Sequence, residues 1–309
     1  MPSLTIRHVT TYRYRQPVAF GEHRMMLRPR DSHDQRIIEA VLEISPRPVS
    51  LRFVRDLFGN HIGIAHFSGR SEELRFESTV NLEHLPLDLV DFGLDDDGGT
   101  FPAGYTECEM PDLVRFIERH DTDSENDVGQ WARQFVPRNG SIGIYKLLTQ
   151  MSRGIYDGFQ YRRREAKGIQ QPVETLRWGH GSCRDFAMLM IEAARSLGLA
   201  ARFASGYLAV PLDDLDKPTN TSARGSTHAW AQIYLSGTGW VSFDPTCGRA
   251  GNAGLITVAV ARDPNHVTPL HGTYMGLASD HLGMDVQVRV TIDRPEAIWA
   301  AASAPRFCN

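Results

Sequence analysis

Three side chains of the kind that carry out acyl transfer, Cys183, His228 and Asp244, stand out in the sequence by their settings. A cysteine can attack a carbonyl carbon as a thiolate, a histidine can take up and return the proton, and a carboxylate can orient the histidine. Each residue alone has a simpler explanation: a buried cysteine at a helix start, a strand histidine, or an aspartate in a turn. The prediction of a catalytic triad therefore depends on whether the surrounding elements can bring the three together.

The residues around Cys183 predict a helix over 183–197 that begins at the cysteine itself. Apolar side chains recur at the spacing of one helix face, and Gly198 is well suited to end the helix. A cysteine at this position meets free backbone N–H groups and the positive end of the helix dipole, both of which favour the thiolate. The N–H of Cys183 is also a suitable donor to an oxyanion. The members of the apolar face are Phe186, Leu189, Met190, Ala193, Ala194 and Leu197.

His228 and Asp244 fall in two strands joined by a short turn. Side chains alternate along 227–235, so that His228 and Trp230 share one face of a strand. A three-residue loop at 236–238 would pair Asp244 with Trp230 and place it diagonal to His228 on the same face. A four-residue loop would place Asp244 on the opposite face. We therefore predict the three-residue loop, or a bulge with the same effect.

The whole chain has the composition of an ordinary globular protein that is long enough for two domains. Its 309 residues are 41% hydrophobic and 23% charged, and the net charge of -4 argues against a nucleic-acid-binding protein. No run is long and apolar enough for a membrane span, and the first residues lack the pattern of a signal peptide. The scattered cysteines do not suggest a disulfide scaffold. These observations predict a cytoplasmic protein without a membrane part.

The chain divides into four predicted segments with an α+β organisation. Residues 1–95 show the alternation of antiparallel strands and predict a β-sandwich-like N-terminal domain. Residues 96–127 indicate an acidic linker and a helix, 128–294 the catalytic core, and 295–309 a surface tail. Helices are predicted near 111–120, 128–135 and 142–155, and strands near 201–210, 228–235, 240–244, 255–261 and 284–292.

Three segments resemble the core of the bacterial transglutaminase-like family. They are GSCRDFA at Cys183, THAWAQIYL at His228 and GWVSFDPT at Asp244, in the chain order of that family. The opening HVTTYRYRQPVAFGEHRMMLRPR is similar to the β domain that precedes this core in many bacterial members. The resemblance implies a papain-like fold, with a nucleophile helix packed on an antiparallel sheet or half-barrel. It also implies Cys183 as nucleophile, His228 as base and Asp244 as the orienting residue, without a metal or other cofactor.

Five further residues are candidates for supporting roles at this site. Tyr161 resembles an upstream tyrosine of the family and is a candidate second oxyanion donor, with core packing as the alternative. Trp178 and Trp230 are candidate walls of a substrate cleft, although core aromatics fit the same pattern. Asp185 is expected to stabilise the start of the helix. His180 is a candidate pH-sensitive neighbour of the nucleophile, with an ordinary loop histidine as the alternative.

The expected reaction forms a thioester between Cys183 and the carbonyl carbon of an amide in a peptide or protein. Water as second substrate would make the enzyme a protease or amidase, which is favoured, and an amine would make it a transglutaminase. The alternative is a non-catalytic binding or scaffold protein that retains the fold. Neither an HExxH motif nor paired thiolates at zinc spacing occur, so no metal site is predicted. The sequence does not determine the oligomeric state.

Overall fold

The computed structural model describes residues 3–85, 99–102, 104–120, 123–138, 141–163, 168–209 and 226–292. The fold is α+β, as the sequence predicts: an antiparallel N-terminal sheet is followed by helices packed on a second antiparallel sheet. The acidic run at 88–97 and the tail at 295–309, which the sequence assigns to a linker and a surface segment, lie outside the described residues.

The N-terminal module begins with five antiparallel strands, namely β1 (Ser3–Met25), β2 (Gln35–Ser45), β3 (Ser50–Arg55), β4 (His61–His66) and β5 (Ser71–His84). The first half of β1 pairs with β5, and its last residues pair with β4. β2 lies beside β5, and β3 lies beside β4. The ring of His23 in β1 stacks on Phe76 in β5 with centroids 5.8 Å apart. These strands form one continuous antiparallel sheet that curves into a half-barrel.

The alternation predicted for the N-terminal domain is present in β5. Leu74, Phe76, Val80 and Leu82 are at most 1% exposed, whereas the residues between them are more accessible. Burial of a large apolar side chain of this kind stabilises the fold by about 1.5–3 kcal/mol. The apolar face of β5 is therefore a main reason why this sheet holds together.

Two C-terminal strands, β15 (Leu270–Met275) and β16 (His281–Ile292), join the N-terminal sheet rather than the core sheet. Both pair antiparallel with β1, and β16 runs along residues 4–14 of that strand. The sequence predicts one catalytic core over 128–294, and two strands of this range, β15 and β16, pair with the N-terminal sheet. Alternating residues identify a strand, but they do not identify the distant strand with which it pairs.

The core module contains five helices: α1 (Met110–Ile117), α2 (Asp127–Arg133), α3 (Ile144–Gly158), α4 (Pro172–Trp178) and α5 (Cys183–Ser196). Within the described ranges, no helix has the length and apolar character needed to cross a bilayer. The core sheet has the order β13-β12-β11-β10-β14. Its members are β10 (Ala201–Leu208), β11 (Ser226–Leu235), β12 (Gly239–Asp244), β13 (Arg249–Ala250) and β14 (Leu255–Ala261).

Two short strand pairs complete the core module. β6 (Thr100–Phe101) pairs antiparallel with β7 (Ile142–Gly143). β8 (Gln160–Tyr161) pairs in parallel with β9 (His180–Gly181). The second pair connects the end of α3 to the chain that leads into α5.

The helix α5 is the centre of the core module. The predicted apolar face is buried, and Phe186, Leu189, Met190, Ala193 and Ala194 are at most 1% exposed. These residues share one hydrophobic cluster with the apolar side chains of α3 and of the core sheet. The helix is therefore fixed along its length, which fixes the position of the cysteine at its first residue.

The N-terminal module covers the edge of the core sheet with two amide side chains. Gln35 donates to the carbonyl of Thr257 at 2.7 Å and accepts from its N–H at 2.9 Å. Asn60 makes the same two bonds with Val260, at 2.7 and 2.9 Å. Each amide thus satisfies both backbone groups of one residue of β14, the outer strand of that sheet.

Candidate active site

The start of α5 is held by a buried network around Asp185. One carboxylate oxygen of Asp185 accepts hydrogen bonds from the N–H and the hydroxyl of Ser182, at 2.8 and 2.7 Å. The other oxygen accepts from the N–H of Gln170 at 2.7 Å. Asp185 is fully buried, and it is the third residue of the helix, with Ser182 as the cap. This carboxylate stabilises the helix start and so positions Cys183.

The short pair β8–β9 places Tyr161 beside the turn that precedes Cys183. The N–H of Gln160 donates to the carbonyl of Gly179, and the N–H of Arg162 donates to that of Gly181, both at 2.8 Å. Gly181 is required at its position because an added Cβ would lie 2.9 Å from the Cβ of Asp185. Strands of two residues leave no periodic signal in the sequence, so this parallel pair was not predicted.

The hairpin β11–β12 has the three-residue loop that the sequence predicts. Leu235 pairs with Gly239, and the register continues to Ala231 opposite Phe243. His228 and Asp244 consequently lie on the same face of the sheet, and Nε2 of His228 is 2.7 Å from Oδ2 of Asp244. Both side chains are buried, at 5% and 1% exposure. Because Nε2 is occupied by Asp244, Nδ1 is the ring nitrogen that remains for Cys183.

Thr246 completes the surroundings of the carboxylate. Its N–H and its hydroxyl donate to Oδ1 of Asp244, at 2.9 and 2.6 Å. The hydroxyl oxygen also lies 3.5 Å from Nε2 of His228. Thr246 was not predicted as a site residue. A threonine two residues after an aspartate, as in Asp244-Pro245-Thr246, is nevertheless the pattern of a side chain that bonds back across a turn.

The charge of Asp244 controls the protonation of His228. Burial by itself disfavours the imidazolium, but the carboxylate of Asp244 and a hydrogen bond and charge from Cys183 raise the pKa of His228 to about 10. Burial likewise opposes the charge on Asp244, and its bonds from His228 and Thr246 outweigh this and lower the pKa of its carboxyl. The pair therefore exists as carboxylate and imidazolium at neutral pH.

Tyr161 and Cys183 are neighbours at the mouth of the site. Burial raises the pKa of the Tyr161 hydroxyl to about 12, and the sulfur of Cys183 contributes through its charge and a hydrogen bond. Tyr161 is 47% exposed, and its ring lies 6.3 Å from that of Phe186 in α5. The hydroxyl is therefore protonated at neutral pH and available as a donor next to the partly exposed sulfur.

Trp230, for which the sequence leaves open a cleft wall or a core aromatic, lies in the core. It is fully buried, and its cluster includes Ala204 and Val260, with Phe58 of the N-terminal module packed against it. Its ring stacks beside His228 at 6.1 Å between centroids, and its indole N–H donates to Ser242 at 3.2 Å. The alternation of the strand places Trp230 on the face of His228, as predicted, but this face is covered by other residues at that point.

Trp178 and His180 lie on the open side of the turn before Cys183. Trp178 is 56% exposed, and its ring stacks on that of His180 with centroids 6.1 Å apart. His180 is only partly exposed, and Nδ1 of its ring is buried without a hydrogen-bond partner among the described residues. Trp178 remains the better candidate for a substrate contact, since a large exposed aromatic ring gains most from being covered.

Two cysteines other than Cys183 lie among the described residues, and neither has the surroundings of a nucleophile. Burial and the nearby Asp244 raise the pKa of the Cys247 thiol, so this cysteine is a poor nucleophile. Cys108 is exposed and lies far along the chain, between β6 and α1. In the part of the chain that is described, no group of three or more His, Cys, Asp or Glu side chains could hold a metal ion.

Comparisons with known proteins match both modules. Residues 4–83 match the bacterial transglutaminase-like N-terminal region, and 141–245 match the transglutaminase-like superfamily. An uncharacterised protein of Mycobacterium tuberculosis is 29% identical over 305 residues, which cover 96% of this chain and 94% of the relative. One of Mycobacterium leprae is 26% identical over 297 residues, covering 93% and 98%.

One solved structure has the same overall fold. It is a protein of Cytophaga hutchinsonii that is provisionally described as a cysteine protease, with a TM-score of 0.66 and 17% identity. The match covers 94% of this chain and 97% of that one. At this identity the likeness concerns the fold alone. The superfamily match, 141–245, includes the cysteine, the histidine and the aspartate described above.

Proposed function

We propose that the chain is a cysteine enzyme acting on amides of peptides or proteins. The matches of residues 4–83 to the bacterial transglutaminase-like N-terminal region and of 141–245 to the transglutaminase-like superfamily support this proposal. Cys183 is the nucleophile, His228 the general acid and base, and Asp244 the residue that orients the histidine. The observation that carries the proposal is the position of the His228 imidazole between two partners. Oδ2 of Asp244 lies 2.7 Å from its Nε2, and the sulfur of Cys183 interacts with the same ring through a hydrogen bond and its charge.

The first step transfers the acyl group to the enzyme. His228 holds the proton that the thiol has lost, and the sulfur of Cys183 attacks the carbonyl carbon as a C–S bond forms. The electron pair of the C=O bond moves to the oxygen, which the N–H of Cys183 and the hydroxyl of Tyr161 are proposed to bind. When this oxyanion collapses, the C–N bond breaks, His228 protonates the departing nitrogen, and a thioester and an amine remain.

The second step resolves the thioester. His228, now neutral, accepts a proton from water as the oxygen attacks the thioester carbon, and the C–S bond then breaks to release a carboxylic acid. An amine in place of water would yield a new amide by the same steps. We favour hydrolysis because Tyr161 and Trp178 are about half exposed, whereas transfer to an amine requires that water be kept from the thioester.

Alkylation with iodoacetamide tests the nucleophile without a known substrate. At neutral pH Cys183 should react first, Cys108 at the rate of an ordinary exposed thiol, and Cys247 slowest, as followed by peptide mapping in a mass spectrometer. His228→Ala should slow the labelling of Cys183 and leave Cys108 unchanged. Labelling of Cys183 no faster than that of Cys108 would instead support a non-catalytic scaffold.

An acyl substrate supplied with and without an amine separates the two enzymatic outcomes. We expect a glutaminyl or peptide substrate to give the free acid in water, with little change when an amine is added. Accumulation of the amine adduct would identify a transglutaminase. A Cys183→Ala variant should give neither product, and product from this variant would exclude the proposed nucleophile.

A further inference from the structure

Two arginines close to Cys183 have no oppositely charged partner among the described residues. Arg163 and Arg184 are both exposed, and neither forms an ion pair with any described residue. Arg162 also has no ion pair among the described residues, but its guanidinium bonds to the amide oxygen of Gln160 at 2.7 Å. Arg153 lies 3.1 Å from Asp157, and Arg177 lies 2.8 Å from Asp127.

Arg163 lies on the side of the chain that faces the nucleophile. Side chains alternate along the extended segment 160–163, and the guanidinium of Arg162 bonds to Gln160 at 2.7 Å, on one side. Tyr161 points to the other side, toward Cys183, and the charge of Arg163 acts on the Tyr161 hydroxyl. On this alternation Arg163 lies on the same side of the segment as Tyr161, whereas Arg162 lies on the opposite side.

Arg184 follows the nucleophile directly in α5. A positive side chain in the first turn of a helix opposes the helix dipole, so this residue does not contribute to helix stability by its charge. Its neighbour Asp185 has the favourable sign for this position and is buried within the network that caps the helix. The fold therefore gives no reason for an exposed arginine at this position, whereas binding of an anionic ligand would.

We propose that Arg163 and Arg184 form an anion subsite, so that the preferred amide carries a carboxylate close to the carbonyl that Cys183 attacks. The substrate class is then an acidic peptide or another acidic acyl compound. This inference rests on the proposed function, since it deepens the specificity of the same site. A carboxylate at an exposed arginine gains little from each charge alone, on the order of a two- to fivefold change in binding. Two arginines together distinguish acidic from neutral substrates more strongly.

The ratio of two alkylation rates at Cys183 measures this subsite without a known substrate. Iodoacetate is anionic and iodoacetamide is neutral, and both form the same kind of C–S bond with loss of iodide. We expect Arg163→Gln and Arg184→Gln each to lower the iodoacetate-to-iodoacetamide ratio about two- to fivefold, with a larger decrease in the double variant and in high salt. The positive charge of His228 also favours iodoacetate, but it is present in all variants and so does not affect the comparison between them.

Arg162→Gln is the matched control because it removes the same charge from the adjacent residue on the opposite side. Its ratio should stay within about 1.5-fold of the wild-type value. An unchanged ratio in the Arg163 and Arg184 variants, or an equal decrease in the Arg162 variant, would overturn the subsite. A slow reaction with iodoacetamide itself would instead count against the nucleophile, so the two failures are distinguishable.

Matched peptides provide the second measurement. Peptides that differ only by glutamate or glutamine next to the scissile amide should show a higher kcat/KM for glutamate in the wild type. The preference should fall in the Arg163→Gln Arg184→Gln double variant and persist in Arg162→Gln. Equal kcat/KM values for the two peptides in the wild type would exclude an anion subsite while leaving the enzyme itself intact.

Discussion

Thr246 donates two hydrogen bonds to a single oxygen of Asp244, one from its N–H at 2.9 Å and one from its hydroxyl at 2.6 Å. The other oxygen is thereby left to His228, which lies 2.7 Å away. Both oxygens of the carboxylate are engaged, so its plane has one orientation. The hydrogen bond to Asp244 therefore fixes the orientation of the His228 imidazole, and its Nδ1 is directed toward Cys183.

We expect Thr246→Val to weaken this arrangement without abolishing it. The variant loses the hydroxyl bond and keeps the backbone bond, at a cost of about 1–3 kcal/mol in the free energy of unfolding. Alkylation of Cys183 should slow several-fold because the imidazole is less well oriented. Chemical unfolding and labelling rates measure the two effects. Thr238→Val in the exposed hairpin loop is the matched control and should change neither.

The pKa of His228 predicts how stability depends on pH. Since folding raises this pKa from its ordinary value near 6.5 to about 10, the stabilising contribution is complete below pH 6.5 and is lost as pH rises to 10. Asp244→Asn removes the cause of the shift and should cost on the order of 3 kcal/mol at pH 6.5. The difference in the free energy of unfolding between wild type and variant should become smaller at pH 9.5. Urea unfolding at pH 6.5 and at pH 9.5 tests this prediction, and a difference in free energy that is the same at both pH values would contradict it.

Tyr161→Phe should lower kcat much more than it changes KM. The hydroxyl is proposed to bind the oxyanion, and loss of one such donor costs about 10²–10³-fold in kcat. Stability should change by less than about 0.5 kcal/mol because the ring remains and is half exposed. Tyr156→Phe, at a similarly exposed tyrosine of α3, is the control. A change in KM alone would restrict Tyr161 to substrate binding.

Trp178 and Trp230 should respond in opposite ways to replacement by alanine. Trp178→Ala is expected to raise KM for a peptide several-fold while stability and Cys183 alkylation stay unchanged, since the side chain is 56% exposed. Trp230→Ala should lower the free energy of unfolding by about 3–5 kcal/mol because it empties a fully buried site. Steady-state kinetics measure the effect on KM, and thermal unfolding measures the effect on stability. Loss of stability in Trp178→Ala would place that ring in the core.

Gln35→Ala and Asn60→Ala should each destabilise the protein although neither residue is near Cys183. Gln35→Ala leaves the N–H of Thr257 without its amide partner, while its carbonyl still accepts from the N–H of Arg30 at 3.0 Å. Asn60→Ala removes the partners of both the N–H and the carbonyl of Val260. We expect each variant to lower the free energy of unfolding by about 1–3 kcal/mol. Gln287→Ala, at an exposed amide, should have little effect. Unfolding by denaturant gives the comparison. If both variants were as stable as Gln287→Ala, the prediction would be wrong, and water would have taken over the hydrogen bonds to the backbone of β14.

The parts of the site that the sequence predicts are those fixed by local pattern. The helix that begins at Cys183 follows from a single apolar face, and the loop at 236–238 follows from parity along one hairpin. Both depend on residues close together in the chain. The meeting of His228 with Asp244 then follows from the register, because a shift of one residue would have separated them.

The parts that were not predicted depend on distant partners. The pairing of β8 with β9, which brings Tyr161 to the site, joins strands of two residues each and leaves no periodic signal. The burial of Trp230 depends on Phe58 of the other module, more than a hundred residues earlier. The membership of β16 in the N-terminal sheet is of the same kind. Such contacts are set by the three-dimensional packing and not by local propensity.

The return of β16 to β1 has a consequence for cleavage of the chain. A single nick anywhere between α1 and α4 would give two fragments, each of which contributes a strand to the same ladder from Leu4 with Ile292 to Arg13 with Gly283. The fragments should therefore elute together under native conditions and separate only in denaturant. Separately produced halves should complement each other, and each half alone should be left with an incomplete sheet.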